Sequence, residues 1–344
     1  MEALRNQWYC AAFGHELKQK PLGRTFLNEP VVIYRTADGT PVAFEDRCCH
    51  RRAPLSHGRI EGDNLRCLYH GLLYSPAGTA IWAPGQERLP QGARVRSYPV
   101  VESHGWIWIW LGDPALADPK TAPQYDKYDD PNWASYDELI SMKANYFLVV
   151  ENLLDLSHLP FVHAATIGSP EDTNPNLNWE RGPTWIKGVR VARGLSPSQR
   201  NLIEGFNFPF DRTQIMLFEP PSQVTIDILS NEFGKAYGDP TSRLNRRIMI
   251  YDTITPETDT SCHYFWAISR DYLIDDPKQT ELGLRATSAA FHEDQGILEA
   301  QQRIISTNPN AAEIDLVGDA GGLQARRIME RLLAEERGAR QAAQ

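Results

Sequence analysis

The sequence has no run of about twenty apolar residues, which is the length that a membrane-spanning helix requires. Its first twenty residues carry charged and polar side chains where a signal peptide has an apolar centre. A basic excess is missing too, because 44 acidic residues against 35 basic ones give a formal net charge of −9. From these absences we expect a cytoplasmic protein that has neither a membrane nor a nucleic acid as its partner.

Cysteine is also scarce, with five residues in a chain of 344: Cys10, Cys48, Cys49, Cys67 and Cys262. Three of the five lie beside histidines in the stretch CCHRRAPLSHGRIEGDNLRCLYHG. In a reducing compartment such clustering indicates a metal site rather than disulfide bonds. We expect Cys10 and Cys262 to be small buried residues.

The distribution of β-rich runs divides the sequence into two parts. Between residues 26 and about 112, short aromatic and β-branched runs alternate with turn signals, which indicates antiparallel strands. The stretch 112–137 is rich in Pro, Asp and Ala, as expected of a crossing between domains. Beyond it we predict a helix around 145–158, a hairpin over RRIMIYDTIT and SCHYFWAISRDY, and helices at 280–306 and 320–336. These elements predict an α+β protein with domains at 1–120 and 121–344.

The first cluster has the skeleton Cys48-x-His50, sixteen residues, then Cys67-x-x-His70. Two Cys and two His also suit a tetrahedral structural zinc. The order of the residues favours another centre, since each half offers one Cys and one His. One iron of a [2Fe–2S] cluster can then take both thiolates, and the other iron both imidazoles. His57 and Cys49 fall outside the two pairs, and we expect both to be structural.

A second stretch, ENLLDLSHLPFVH over residues 151–163, contains two histidines near the end of a predicted helix. On that helix Asp155 and His158 are three residues apart and share a face. Pro160 cannot continue the helix, so the chain turns and can bring His163 back toward His158. Taken alone, this pattern also fits an amphipathic helix with a polar end.

Two histidines need one carboxylate to complete the facial triad of a non-haem ferrous centre that activates oxygen. In the predicted helix 284–305, Asp294 lies on an apolar stripe between Ala290 and Phe291 on one side and Ile297 and Leu298 on the other. A buried carboxylate requires a cation or a metal, so Asp294 is the candidate ligand, although an Asp paired with an Arg is the simpler alternative. Glu293 fits this position less well.

These motifs resemble those of one known family. The Cys/His skeleton, with Arg51, the Ala-Pro-Leu turn at 53–55 and the Tyr-His-Gly ending at 69–71, resembles the Rieske iron–sulfur motif. The Asn-x-x-Asp-x-x-His-x4-His run over 152–163 and the late Glu-Asp pair extend the resemblance over nearly the whole chain. The sequence is similar to the oxygenase component of Rieske non-haem iron oxygenases, in the branch that includes vanillate and dicamba O-demethylases and toluenesulfonate methyl-monooxygenase.

The resemblance implies a Rieske domain of antiparallel strands, then a catalytic domain with a curved antiparallel sheet flanked by helices. It implies that Cys48, His50, Cys67 and His70 bind a [2Fe–2S] cluster and that His158, His163 and Asp294 bind mononuclear Fe(II). Relatives are commonly homotrimers in which electrons cross to a neighbouring subunit. Asp155 would be the bridge between His70 of one chain and His158 of the next, and Asn152 would lie close to the iron.

The expected reaction is a monooxygenation of an aromatic substrate by O2, most simply O-demethylation of a methoxylated aromatic acid or hydroxylation of a methyl group. The chain has no Gly-x-Gly-x-x-Gly fingerprint, so NAD(P)H electrons would arrive through a separate flavin and iron–sulfur reductase. An aromatic ring hydroxylase or dihydroxylase and a Rieske electron carrier stay open as alternatives.

The substrate pocket is the part of the site that the sequence describes least. In relatives its walls come from the middle of the catalytic domain, which here is about 195–255. Four arginines in that region are candidates to pair with a carboxylate or sulfonate, although surface ion pairs are their commoner use: Arg212, Arg243, Arg246 and Arg247. Asp252 lies near a position that lines the pocket in relatives.

Overall fold

A computed structural model describes residues 2–168, 177–195 and 208–342, and in it the chain forms two compact units. The first, which we call the β unit, consists of Ala3–Gln124 and Thr255–Asp259. The second, which we call the mixed unit, contains Tyr125–Ile254 and the chain from Thr260 onward. The return of the chain to the β unit at Thr255–Asp259 is not apparent from the sequence.

The β unit is built from strands of two to seven residues. Their bounds are β1 (Trp8–Phe13), β2 (Leu22–Phe26), β3 (Glu29–Arg35), β4 (Pro41–Glu45), β5 (Arg59–Glu61), β6 (Asn64–Arg66), β7 (Leu73–Tyr74), β8 (Ala80–Trp82), β9 (Ser97–Tyr98), β10 (Val100–Ser103) and β11 (Trp106–Trp110). They form three sheets, in the orders β1-β11-β10, β2-β3-β4-β9 and β5-β6-β7-β8. Strand β11 has the sequence WIWIW and is buried at every position, which places it in the core of the unit.

The third sheet of the β unit positions the Cys/His cluster. The run LRCLYHGLLYS, which reads as one β segment, is in fact two short strands, β6 and β7, with a loop at 67–72 between them. The other half of the motif lies in the connection between β4 and β5. Short paired strands therefore hold each Cys/His pair on its own loop.

In its described residues the mixed unit has a seven-stranded antiparallel sheet and four α-helices, which confirms the predicted α+β fold. Its strands are β12 (Ala134–Met142), β13 (Asn178–Arg181), β14 (Ile186–Leu195), β15 (Phe210–Glu219), β16 (Gln223–Glu232), β17 (Asn245–Thr258) and β18 (Ser261–Arg270). Their order in the sheet is β12-β18-β17-β16-β15-β14-β13. The helices are α1 (Tyr146–Leu154), α2 (Leu159–Val162), α3 (Pro277–Thr307) and α4 (Ala320–Ala342). None of the described helices is both long enough and apolar enough to cross a membrane.

The helices cover one face of this sheet. Phe291 of α3 packs against Tyr264 and Trp266 of β18, with ring centroids 5.4 and 5.2 Å apart. Phe147 of α1 meets Phe218 of β15 edge to face at 6.5 Å. Contacts between large aromatic rings bury apolar area and favour defined orientations, so they fix the two helices on the sheet.

The prediction of a helix around 145–158 is wrong at the C-terminal end, because α1 ends at Leu154. Asp155 has extended backbone angles (φ −116°, ψ 107°), and its carboxylate caps a 3-10 turn over Leu156–His158. Pro160 does not end a helix either, since it lies in the first turn of α2, where its missing N–H costs nothing. The chain therefore bends at Asp155, before the first histidine.

Candidate metal sites

The two loops of the β unit carry the four predicted cluster ligands, and the structure brings them together. The rings of His50 and His70 are exposed and meet edge to face with centroids 4.6 Å apart. The thiols of Cys48 and Cys67 are buried. Two buried sulfurs behind two exposed imidazoles form a donor set that fits a Rieske [2Fe–2S] cluster.

Main-chain hydrogen bonds shape each loop around its cysteine. The carbonyl of Cys48 accepts from Arg52 N, and that of Cys67 accepts from Gly71 N, at 2.9 and 3.0 Å. Gly71 has φ +75°, a conformation that side chains other than glycine rarely adopt. Burial raises the pKa of the Cys67 thiol, while N–H groups of Tyr69 and His70 donate to its sulfur and act in the opposite direction. These donors suit a thiolate that binds a metal.

Tyr74 is a neighbour of the sulfurs that the sequence motif does not include. Its hydroxyl lies 3.1 Å from Sγ of Cys48 and 3.2 Å from Sγ of Cys49. It also accepts a hydrogen bond from the main-chain N–H of Cys49 at 3.1 Å. Because the oxygen already accepts that bond, its own proton is available to one of the two sulfurs. The position of Tyr74, on the strand that follows the second loop, is the signal that could have identified it.

In the mixed unit the structure brings together His158, His163 and Asp294. Their candidate ligand atoms all lie within 4.8 Å of one another. Nε2 of His163 is 3.2 Å, and Nε2 of His158 is 3.5 Å, from Oδ1 of Asp294. Asp294 is 4% exposed and His163 is 1% exposed. Two imidazoles and one carboxylate that converge in a protected place fit the triad of a mononuclear non-haem iron.

Helix α3 supplies the carboxylate from a buried stripe, as the sequence predicts. Ala290, Phe291, Asp294 and Leu298 are buried, whereas Ile297 is half exposed and does not belong to the stripe. The stripe continues to Gln302, whose side chain accepts from Asn145 N at 2.8 Å. Asn145 caps the first turn of α1, so this bond ties the start of α1 to α3.

The other ring nitrogen of each histidine has its own acceptor. Nδ1 of His163 lies 2.8 Å from Oε2 of Glu293, and Nδ1 of His158 lies 2.5 Å from the main-chain oxygen of Asp155. An imidazole that donates from Nδ1 presents the lone pair of Nε2, which is the arrangement that metal-ligating histidines use. Glu293 is therefore not a third ligand candidate but a partner of the second histidine.

The pKa values of the two histidines shift in opposite directions. Burial lowers the pKa of His158, and the nearby carboxylates only partly offset that effect. Burial also acts to lower the pKa of His163, but hydrogen bonds and attraction from Asp294 and Glu293 raise it overall. His163 therefore lies in the more negative environment of the two.

The structure places the two predicted catalytic residues beside this triad. Nδ2 of Asn152 donates to Oδ1 of Asp294 at 3.2 Å. The carboxylate of Asp155 accepts from the N–H and the hydroxyl of Ser157, both at 2.8 Å. Asp155 thus contacts His158 through its main-chain oxygen and not through its carboxylate.

The sheet face beneath the helices carries a second buried carboxyl group. Asp252 on β17 pairs with Val224 on the neighbouring strand β16. Its Oδ1 accepts a hydrogen bond from the hydroxyl of Tyr264 at 2.7 Å. Its Oδ2 is buried and has no hydrogen-bond partner among the described residues. Burial raises the pKa of Asp252 to about 7, and the charge of Asp294 adds to the effect.

Two of the four candidate arginines form ion pairs with acidic residues of the mixed unit. Arg243 bonds to Glu232, and Arg247 forms a two-pronged pair with Asp227 at 2.8 Å. Arg246 stacks over the ring of Tyr272 instead, with its guanidinium carbon 4.5 Å from the centroid. Arg212 lies over the ring of Phe210. Residues 196–207, in the region expected to wall the pocket, lie outside the described residues.

Comparisons with known proteins cover both units. Residues 7–99 match the family model of the Rieske [2Fe–2S] domain, and residues 142–335 match that of the vanillate O-demethylase oxygenase C-terminal domain. A putative toluene-4-sulfonate monooxygenase system iron-sulfur subunit of Comamonas testosteroni is 40% identical over 97% of this chain and 98% of its own length. A vanillate O-demethylase oxygenase subunit of a Pseudomonas species is 38% identical over 98% and 97%.

Among solved structures, dicamba monooxygenase with non-heme iron and dicamba superposes with a TM-score of 0.86. It is 32% identical in sequence, and the match covers 98% of this chain and 100% of that one. Both sets of donors thus lie within the matched residues, the four cluster donors within 7–99 and the triad within 142–335. The chain belongs to the Rieske non-haem iron oxygenases, as an oxygenase component of the branch that contains the vanillate O-demethylases.

Proposed function

We propose that this chain is the terminal oxygenase of a multicomponent Rieske monooxygenase that oxidises an aromatic substrate. The favoured reaction is O-demethylation of a methoxylated aromatic acid or hydroxylation of a methyl group. The observation that carries the proposal is the convergence of His158, His163 and Asp294 in a chain that also offers Cys48, His50, Cys67 and His70 as cluster ligands. A structural metal site would need only one of these two donor sets.

The two donor sets have separate tasks in this proposal. When bound, the [2Fe–2S] cluster supplies single electrons and the mononuclear iron supplies activation of O2. The sulfurs of Cys48 and Cys67 are buried and so bind the cluster away from water. The rings of His50 and His70 are exposed, and through them electrons can enter and leave the cluster. We assign these tasks to residues 1–120 and 121–344, respectively.

A side chain and a main-chain group beside the triad hold its metal-binding groups in place. Asn152 donates to Oδ1 of Asp294, which limits rotation of that carboxylate. The main-chain oxygen of Asp155 fixes the ring of His158. On the sheet, Val224 and Phe218 continue the row that begins at Asp252, so a buried apolar pair lies next to a polar group. An apolar lining with few polar groups is what an aromatic ring with one polar substituent requires.

Asp155 is proposed as the bridge for electrons between neighbouring chains of a homotrimer. Its main-chain oxygen contacts His158, and its half-buried carboxylate is held by Ser157. His70 of a neighbouring chain, whose ring is exposed, would bond to that carboxylate. Asp155 would then contact one ligating histidine of each centre, one through its main-chain oxygen and the other through its carboxylate, and so couple the two centres.

For a methoxy substrate the proposed balance is one O2, two electrons and two protons consumed for each methyl group removed. The carbon is oxidised to formaldehyde, the ring keeps its oxygen as a phenol, and the second oxygen atom leaves as water. The electrons come from NAD(P)H through a separate reductase that contains flavin and an iron–sulfur cluster. We place the whole system in the cytoplasm.

Product analysis tests the proposal. The iron-loaded chain is combined with an electron donor and O2, and offered matched aromatic acids that differ in one group: methoxy, methyl or hydrogen. Formaldehyde equal to the phenol formed supports demethylation, and a benzylic alcohol supports methyl hydroxylation. Hydroxylation of the ring itself would replace the proposal with a ring hydroxylase. Oxidation and reduction of the cluster without any product from the panel would indicate an electron carrier.

A further inference from the structure

Two consecutive carboxylates of α3 lie against the two nitrogens of a single imidazole. Oδ1 of Asp294 lies 3.2 Å from Nε2 of His163, and Oε2 of Glu293 lies 2.8 Å from Nδ1. Residues next to each other on a helix point about 100° apart, so a ring placed between their directions can reach both. The buried ring of His163 occupies that place.

Glu293 is itself held in position by a residue from the turn that follows His163. The hydroxyl of Thr166 donates to Oε2 of Glu293 at 2.6 Å, the same oxygen that faces Nδ1. The N–H of Thr166 donates back to the main-chain oxygen of His163 at 3.0 Å. His163, Thr166 and Glu293 therefore form a closed ring of three hydrogen bonds.

The turn that carries Thr166 is closely packed. The N–H of Gly168 also donates to the main-chain oxygen of His163, at 3.0 Å. A β-carbon on Gly168 would lie 2.0 Å from the main-chain oxygen of Leu159, so the turn has no room for a side chain there. Thr166 is thus anchored by main-chain contacts and has little freedom to move away from Glu293.

The two histidines of the triad donate from Nδ1 to different kinds of acceptor. His158 donates to a neutral main-chain oxygen, whereas His163 donates to a carboxylate. A carboxylate partner fixes the tautomer more strongly and makes the ligating nitrogen a better electron donor than a carbonyl does. The pair therefore consists of one stronger and one weaker imidazole donor.

We infer that Glu293 is a positioning residue of the metal centre, which holds His163 as a strong Nε2 donor, and that Thr166 orients Glu293 for that task. The inference rests on the proposed ligand set. It assigns no contact with substrate to either residue. Loss of such a partner typically weakens metal binding by about 10 to 100-fold.

The test measures Fe(II) affinity by competition with a chelator in the whole chain with its cluster in place. Glu293→Ala is expected to weaken Fe(II) binding by about 10 to 100-fold. Glu293→Gln keeps an acceptor oxygen but not its charge, and is expected to lose less. Thr166→Val is expected to weaken binding several-fold, and Thr166→Ser to restore it. Glu281→Gln is the matched control, since it makes the same chemical change at an exposed position of α3.

A spectroscopic readout separates positioning from general loss of packing. The electron paramagnetic resonance signal of the Fe(II)–nitric oxide adduct reports the ligand field, and the signal of the reduced cluster reports the integrity of the β unit. The inference requires a changed adduct signal in Glu293→Gln with an unchanged cluster signal. Fe(II) affinity within twofold of the parent in Glu293→Ala, together with an unchanged adduct, would overturn it.

His163→Ala distinguishes this inference from the ligand assignment on which it rests. If His163→Ala loses the mononuclear iron while Glu293→Ala keeps full affinity, the ligand assignment stands and the role of Glu293 fails. If His163→Ala keeps the iron, the ligand assignment itself fails.

Discussion

A hydrogen bond joins the ring of His158 to the main chain of Asp155: Nδ1 of His158 lies 2.5 Å from the carbonyl oxygen of Asp155. The carboxylate of Asp155 is engaged elsewhere, by the N–H and hydroxyl of Ser157. One residue therefore holds a metal-facing ring with one group and presents a second group for other contacts. This division allows the two tasks of Asp155 to be separated by mutation.

Replacement of Asp155 by Asn is expected to leave both metals bound and to reduce turnover about 10 to 100-fold. Asn keeps the main-chain contact with His158 and an oxygen for Ser157, but it removes the charge proposed to bridge to His70 of a neighbouring chain. Iron and sulfide analysis together with single-turnover oxidation of the reduced cluster measures both effects. Ser157→Ala serves as a control for the cap. Full turnover in a metal-replete Asp155→Asn enzyme would remove the bridge assignment.

Tyr74→Phe is expected to lower the reduction potential of the cluster by tens of millivolts. The hydroxyl lies 3.1 Å from Sγ of Cys48, and when that sulfur is a thiolate the hydroxyl must donate. A donated bond stabilises the reduced state, which carries more negative charge. The measurement is a redox titration followed by the visible spectrum. Tyr34→Phe is the control, because it removes a hydroxyl bond to the main chain of Asp63 in the same unit. Equal potentials in parent and Tyr74→Phe would contradict the prediction.

Asp252 is expected to make the stability of the metal-free chain depend on pH. Its folded pKa of about 7 lies above its ordinary value of 3.8, so its contribution is complete below about pH 4 and is lost as the pH rises through 7. Between pH 5 and pH 8 this loss is roughly 3 kcal/mol in the free energy of unfolding.

Asp252→Asn removes the titrating group while it leaves an oxygen to accept from Tyr264. Denaturant unfolding of both chains at pH 5 and pH 8 measures the effect. The Asn variant should lose less stability than the parent over this interval. Parallel loss in both chains would show that Asp252 is ionised in the fold.

Local patterns in the sequence predict the elements that are set by neighbours in the chain. The strand runs, helices α3 and α4, and the buried place of Asp294 follow from periodicity and turn residues. The end of α1 does not, because Asp155 acts as a cap for the following turn although its spacing to His158 also fits a helix. A capping carboxylate bonds two or three residues on, and helical partners are three or four residues apart, so one Asp can suit both patterns.

Contacts between distant segments account for the rest. Glu293 and His163 are 130 positions apart, and nothing near either residue in the chain indicates that they bond. The same holds for Cys48 and Tyr74, which are 26 positions apart. A motif identifies residue types that can bind a metal, whereas the partners that orient them depend on how α3 and the strands pack.

The most direct test of the account is the iron and acid-labile sulfide content of the chain purified without air. The two donor sets predict three irons and two sulfides for each chain, because a Rieske cluster takes two irons and the triad takes one. Asp294→Ala should reduce the iron to two and leave the sulfide unchanged. Two irons in the parent chain would leave a Rieske carrier without a catalytic centre, and zinc in place of iron would contradict the account as a whole.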